Sequence, residues 1–254
     1  MAPEHPESAR SAGVFLTAEW RELAMLNYEV DPGLLLKFVP AGTELDSWNE
    51  KTFLSLVGFR FLNTKVWGIP LPFHRNFEEV NLRFYVRRSE QNQVKRGVVF
   101  IREIVPRWLI AAVARAVYNE RYVALPMSHE ISRDVSGLAV EYCWKLRAWR
   151  NRISVSGQGN PVLPGSGSQE QFISEHYWGY AAQEDGGCME YQVEHPPWKV
   201  WTVTDARFEG DMQELYGREL DVVLKGPPTS AFLAEGSAVS VHHGRRLQTD
   251  VGRV

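Results

Sequence analysis

Cysteine is almost absent from this sequence: Cys143 and Cys188 stand alone among 254 residues, with no CxxC spacing. So small a complement excludes a scaffold built on disulfides and fits a reducing compartment, with at most one bridge to form. Long hydrophobic runs are missing as well. The longest, WLIAAVA from Trp108 to Ala114, is broken by Arg115 and falls far short of the roughly 20 residues that span a bilayer. The opening MAPEHPESAR is polar and lacks the apolar core of a secretory signal, so a cytoplasmic location is expected. Neither charge is in excess. With 28 basic and 31 acidic side chains and a net charge of -3, the overall charge gives no reason to expect nucleic acid, whose backbone calls for a concentrated positive surface, and leaves only local patches open. Neither nucleic acid nor membrane is an expected partner.

Several chemistries are excluded by motifs that do not occur. There is no GxxxxGK[ST] phosphate loop and no GxSxG nucleophile elbow, and Gly157, Gly159, Gly165 and Gly167 lack the strand-to-helix context of a dinucleotide fingerprint. His5, His74, His129, His176, His195, His242 and His243 form neither HExxH nor a ribbon spacing, so no metal and no cofactor is expected. His176 in EHYWGY and His195 in EHPPW read as packing groups at strand ends.

What is present is an apolar content of 44% with 12 Phe, 9 Trp and 9 Tyr, enough for one sizeable core. The chain divides into a flexible segment over 1–12, a single domain over 13–241 and a peripheral tail over 242–254. GVFLTAEWRELAMLNYEV opens the domain as a strand, and Asp31-Pro32-Gly33 caps a short helix over LLLKFV. Thr52 to Phe61 is a strand, followed by a loop from Trp67 to His74. Gly97 to Ile104 is another, and the stretch from Pro106 to Tyr122 has helical spacing. Leu138 to Trp149 alternates as one long bent strand, and Ser156 to Glu170 has the composition of an exposed connection or lid. Strands are then expected over Phe172–Tyr180, Met189–Glu194 and Lys199–Phe208, a short helix over Asp211–Tyr216, and a late strand in LDVVLKG.

Two polar constellations can carry chemistry. In EEVNLRFYVRR, Val80, Leu82, Phe84 and Val86 alternate with Glu79, Asn81, Arg83 and Tyr85, so one sheet face is apolar and the other ionisable. An inward ionisable face offers Arg83 as a carboxylate clamp and Glu79 as a proton carrier. The same periodicity serves a solvent-facing strand edge with ordinary salt links. The second constellation is Arg102, Glu103, Arg115, Tyr118, Asn119, Glu120 and Tyr122, either a pocket wall or a structural network joining helix to sheet. Within a regular strand Arg102 and Glu103 point to opposite faces. His129 follows in a turn and stands as a secondary base candidate.

The segments FLTAEWRELAMLNYEVDP, VPAGTELDSW, FLSLVGFRF, FEEVNLRFYV, GVVFIREIVPR, ARAVYNERYVALPM, FISEHYWGY and YQVEHPPW resemble the bacterial YqjF-like family of domains of unknown function. That family is similar in fold to acetoacetate decarboxylase. The resemblance implies an α+β domain: a mostly antiparallel, cone-like closed β-barrel with a few short helices and a central pocket. Acetoacetate decarboxylases form a Schiff base through a lysine of depressed pKa. In IREIVPR, Arg102 and Glu103 match the arginine and glutamate of their motif, but Trp108 follows where paired lysines are required, and Lys95 sits in a polar turn. Arginine cannot substitute as the nucleophile.

Together these readings point to a barrel that binds or transforms a small organic acid or carbonyl compound without lysine covalency. Glu103 and Glu79 are the candidate catalytic acids, and Arg83, Arg102, Tyr85, Asn81, Tyr118 and Asn119 the candidate ligand-binding residues. Arg115, Tyr122 and His129 are secondary. A non-catalytic sensor and a structural or interaction module are the competing readings, and exposed strand edges leave room for a homo-oligomer.

Overall fold

The computed structural model describes residues 13–70, 74–90, 92–107 and 121–247. The segment over 1–12 expected to be flexible and most of the helix expected from Pro106 lie outside the described residues. The strands are β1 (Val14–Val30), β2 (Glu44–Leu45), β3 (Thr52–Val66), β4 (Ile69–Pro70), β5 (Phe77–Glu90), β6 (Gln93–Val105), β7 (Tyr122–Ala124) and β8 (Met127–Asp134). They continue with β9 (Gly137–Leu146), β10 (Trp149–Val162), β11 (Trp178–Ala182), β12 (Cys188–Glu194), β13 (Val200–Glu209), β14 (Ser230–His242) and β15 (Arg245–Leu247). Among the described residues three short α-helices accompany them: α1 (Gln169–Ser174), α2 (Gln213–Tyr216) and α3 (Arg218–Lys225). The fold is thus mostly strand with few helices.

All strands belong to one mixed sheet in the order β15-β12-β11-β6-β5-β3-β1-β14-β13-β10-β9-β8, with β2, β4 and β7 at its margins. Pairing is antiparallel except at β6–β11 and β6–β7. A further pairing joins β12 to β14 through Val193 with Val241 and Glu194 with Ser240. The hydrogen-bonded path from β14 through β1, β3, β5, β6, β11 and β12 therefore returns to β14.

Side-chain alternation sorts the central strands into two apolar cores. Ala24, Leu26 and Tyr28 of β1, Leu54 and Leu56 of β3, and Val80, Leu82, Phe84 and Val86 of β5 join one cluster. Leu23 and Met25, Phe53, Val57, Phe59 and Phe61, and Phe77 and Tyr85 join the other. Both faces of these strands are consequently buried, which explains their near-continuous aromatic and β-branched composition. The first core is covered by β8, β9, β10 and β13. Tyr142 of β9 lies directly on the backbone of β3, where a Cβ on Gly58 would meet its ring at 2.7 Å. Its hydroxyl donates to Glu22 O at 2.8 Å, beside a β1 bulge in which Glu22 takes φ 50°.

Asp31 caps as expected, accepting from Gly33 N at 2.7 Å, but over two 3₁₀ turns rather than an α-helix. Elsewhere the structure differs from the sequence reading. The stretch from Leu138 to Trp149 is not one strand: it turns at Arg147, φ 52°, into a β9–β10 hairpin. Residues 156–162 continue β10 instead of forming a connection, because Ser156, Gly157 and Gln158 pair with both β9 and β13. The strand expected at Phe172 is helix α1, capped by Ser168 Oγ accepting from Gln171 N at 3.2 Å. LDVVLKG lies in α3, whose Leu220 and Leu224 recur at helical spacing into the core. The tail is not wholly peripheral. β15 pairs with β12, and Leu247 is buried.

Candidate functional site

One face of these strands borders a cavity of about 120 Å³. Strand β5 supplies Phe77, Glu79, Asn81 and Arg83 in alternation, so the ionisable face of EEVNLRFYVRR is turned inward rather than to solvent. Glu79, Asn81 and Arg83 are 2%, 1% and 7% exposed, which rules out the solvent-facing edge.

A bulge decides the neighbouring strand. Leu82 pairs with Arg102 and Arg83 with Phe100, so Ile101 is the extra residue on β6. Alternation resets there. Phe100 and Glu103 both face the cavity, while Ile101 and Ile104 face the outer core. Arg102 follows the outward set: it lies near the buried Tyr216 of α2, and its Nε has no hydrogen-bond partner.

The two carboxyl groups are linked by hydrogen bonding. Asn81 Nδ2 donates to Glu79 Oε1 at 3.0 Å, and the Tyr122 hydroxyl donates to Glu79 Oε2 at 3.2 Å. Tyr122 is also hydrogen-bonded to Glu103. Burial pushes the Glu79 carboxyl up to about 7 against the opposing pull of Asn81, Tyr122 and Arg83. Burial and the two glutamates hold the Tyr122 phenol far above its usual range, so it remains a donor. Glu79 is thereby poised to take or give a proton at neutral pH.

Arg83 has no carboxylate within ion-pair distance among the described residues. Its Nη2 approaches Met25 Sδ at 4.0 Å, its guanidinium carbon stands 5.9 Å from the Tyr85 ring centre, and Nε has no partner. A buried arginine so placed is costly unless an anion completes it. Tyr85 itself does not line the cavity. Its hydroxyl lies 2.7 Å from Ser55 Oγ, which donates to Asn27 Oδ1 at 2.7 Å, so Tyr85 is the donor in that chain and a fixed wall behind Arg83.

Two histidines assigned to packing by their sequence context also line the cavity. His195 stacks on Trp198 with centres 4.1 Å apart, and its Nδ1 lies 2.9 Å from Pro196 O. Nδ1 must carry the hydrogen to donate to that carbonyl, which leaves Nε2 as an acceptor. Burial lowers its pKa to about 4, assisted by Arg83 and opposed by the Pro196 carbonyl. His176 has Nε2 3.4 Å from Asp46 Oδ2, and that same oxygen takes Arg96 Nε at 2.9 Å. Burial outweighs Asp46 and holds His176 below its usual value.

Of the sequence candidates, the structure brings together Glu79, Asn81, Arg83, Glu103 and Tyr122. It places Tyr85 behind them, Arg102 on the opposite face, and His129 outside, where Nδ1 lies 2.5 Å from Glu78 Oε1. His129 belongs to a surface pair because Glu78 points away from the Glu79 face. Arg115, Tyr118 and Asn119 lie outside the described residues. Sequence reasoning missed Trp20, His176 and His195; the aromatic setting of both histidines was the available signal. No lysine lines the cavity, and the segments outside the described residues contain none of the chain's seven. Lys95 is not in an exposed turn but is held by Glu90 at 2.6 Å and Glu190 at 2.9 Å. No three potential metal ligands gather among the described residues, and no described helix is long and apolar enough to cross a membrane.

Comparison with known proteins agrees with this architecture. The chain is 25% identical over 222 residues to the uncharacterized protein YqjF of Bacillus subtilis (strain 168), covering 81% of this chain and 88% of that one. Its fold is similar to acetoacetate decarboxylase from Legionella pneumophila, with TM-score 0.65, 12% identity, and coverage of 99% and 94% of the two chains. It is likewise similar to the enduracididine biosynthesis enzyme MppR complexed with pyruvate, with TM-score 0.65, 12% identity, and coverage of 95% and 93%. These likenesses show the fold alone. Residues 17–238 match the model of DUF2071, described as an uncharacterized conserved protein, and the chain belongs to that family.

Proposed function

We propose that the chain is a closed-barrel protein of the cytoplasm whose cavity binds a small organic anion and exchanges a proton with it, without a covalent lysine intermediate. The returning path of strand pairings supports barrel closure. The observation that carries the ligand class is Arg83: buried, turned to the cavity and, among the described residues, lacking a carboxylate within ion-pair distance. A ligand carboxylate or enolate would supply two charge-assisted hydrogen bonds to its guanidinium. Glu79, hydrogen-bonded to Asn81 and Tyr122, is the proton carrier, and Glu103 is hydrogen-bonded to the same Tyr122 hydroxyl. The fold's neighbours include proteins named for acetoacetate and complexed with pyruvate, which favours a short oxo acid or related carbonyl compound. The absence of lysine from the lining removes the Schiff-base route at this cavity.

Calorimetric titration with pyruvate and acetoacetate tests the reading. Saturable binding is expected, weakened by ~10- to 100-fold in Arg83→Met, as for loss of hydrogen bonds to a charged group. Glu79→Gln should retain binding and lose proton exchange, followed as deuterium incorporation α to the carbonyl. Unchanged affinity in a folded Arg83→Met would overturn the anion site. Unchanged exchange in Glu79→Gln would leave a binding protein or sensor.

A further inference from the structure

The cavity extends well beyond what a two- or three-carbon acid occupies. Inward residues of β5 recur about every 6.7 Å, so Arg83 and Phe77 mark opposite ends of a polar-to-aromatic gradient. At the aromatic end Phe61 stacks on Phe77 with ring centres 4.6 Å apart and planes at 11°. Phe59 lies 5.3 Å from Phe61, and Trp20 meets Phe59 and Phe61 edge-on at 5.3 and 5.7 Å. These rings come from β1, β3 and β5 and form one continuous wall of the cavity.

This wall is not sealed core. Trp20 Nε1 and Thr64 Oγ1 are buried, border the same cavity and have no hydrogen-bond partner. Polar atoms so placed are exceptional inside a packed core and expected where a site faces a ligand or water. An acid as short as acetate satisfies Arg83 and leaves the rings uncovered, whereas an apolar body attached to it gains roughly 25 cal/mol for each Å² removed from water. The cavity measures about 120 Å³. It is similar to the roughly 150 Å³ that accommodates benzene in an engineered protein cavity, so it suits one ring and not a long acyl chain.

We infer that the ligand is an amphiphilic monoacid, an aryl-substituted short carboxylic acid, held by its carboxylate at Arg83 with its ring directed toward the wall that begins at Phe59 and continues through Phe61 and Phe77. This rests on the carboxylate reading of Arg83 and adds the second half of the molecule.

Titration with phenylacetate, acetate and phenylacetamide separates the two halves. Phenylacetate is expected to bind about tenfold or more tightly than either of the others. Phe61→Ala should weaken phenylacetate by about tenfold, as for an uncovered ring face, and leave acetate unchanged. Phe61→Leu, which keeps most of the volume, provides the same comparison if Phe61→Ala does not fold. Acetate binding as tightly as phenylacetate, or equal losses for both in the Phe61 variants, overturns the aryl acid while leaving the anion site intact. Equal affinity for phenylacetamide and phenylacetate, or no binding of any probe, overturns the carboxylate reading and the inference with it.

Discussion

The hydroxyl of Tyr122 donates to Glu79 Oε2 at 3.2 Å, which fixes a hydrogen bond on a carboxyl group that burial holds at about 7. The pair ties β7 to β5 across β6 and makes Glu79 a titrating group inside a largely apolar cavity. Its two donors favour the ionised form, and desolvation prevails over both.

A pH-dependent stability follows. The folded-state pKa of Glu79 is above the ordinary 4.5, so the unfolded chain binds fewer protons between about 4.5 and about 7. Its contribution is fully present below 4.5 and is lost as pH rises through about 7. In Glu79→Gln, a neutral isostere, the loss should vanish. Urea unfolding should find wild type and variant similar at low pH and the variant more stable above pH 7, by up to about 3 kcal/mol. Parallel pH profiles for the two proteins would contradict the raised pKa.

How far the sequence foretold this site depends on which face each residue took. Alternation in EEVNLRFYVRR was enough to group Glu79, Asn81 and Arg83, because β5 has no bulge between them. The same logic put Arg102 and Glu103 on opposite faces without saying which was inward. The bulge at Ile101 chose Glu103, and no turn residue in GVVFIREI signals it. His176 and His195 were obscured for another reason: they come from β11 and β12 borders and reach the cavity only through long-range pairing. The sequence of α3 reads as a strand because Val222, Val223 and Leu224 run together, although Leu220 and Leu224 have helical spacing.

Arg83→Met should show a divergence between stability and binding. Among the described residues the buried guanidinium has no ion pair, so its desolvation is poorly compensated. Methionine preserves the aliphatic stem and removes the charge. Chemical denaturation should give a variant as stable as wild type or more stable, by up to about 2 kcal/mol, while anion binding is lost. A loss of more than about 2 kcal/mol would identify Arg83 as a structural cation instead.

His195 should titrate in the opposite sense to Glu79. Its folded pKa, about 4, lies below the ordinary 6.5 because burial disfavours the imidazolium. The stability it contributes is present above about 6.5 and lost as pH falls toward 4. The imidazole Cε1 proton, followed by NMR, should shift with a midpoint near 4, and the stability difference between wild type and His195→Gln should shrink over the same interval. A midpoint near 6.5 would show that the ring leaves Trp198 and reaches solvent.

The last strand is held by a charge cluster whose central member is Glu190. Its side chain is fully buried; Oε1 receives Lys95 Nζ at 2.9 Å and Arg245 Nε at 2.8 Å, and Oε2 receives the Tyr180 hydroxyl at 3.0 Å. Arg88 adds a longer contact at 3.5 Å, and the more exposed Glu90 pairs with the same three cations. Replacing Glu190 with leucine leaves Lys95, Arg88 and Arg245 around Glu90 alone, with the Tyr180 hydroxyl stranded. Such a break should cost about 3–5 kcal/mol in urea unfolding, whereas Glu90→Gln at the wetter edge should cost about 1 kcal/mol. Hydrogen exchange should report the geometry directly: in Arg245→Met the amides of the β12–β15 ladder, around Cys188 and Leu247, should lose protection while those of β5 keep theirs. Equal protection in that variant would mean that Leu247 packing alone docks the strand, and that the charge cluster contributes little to holding it.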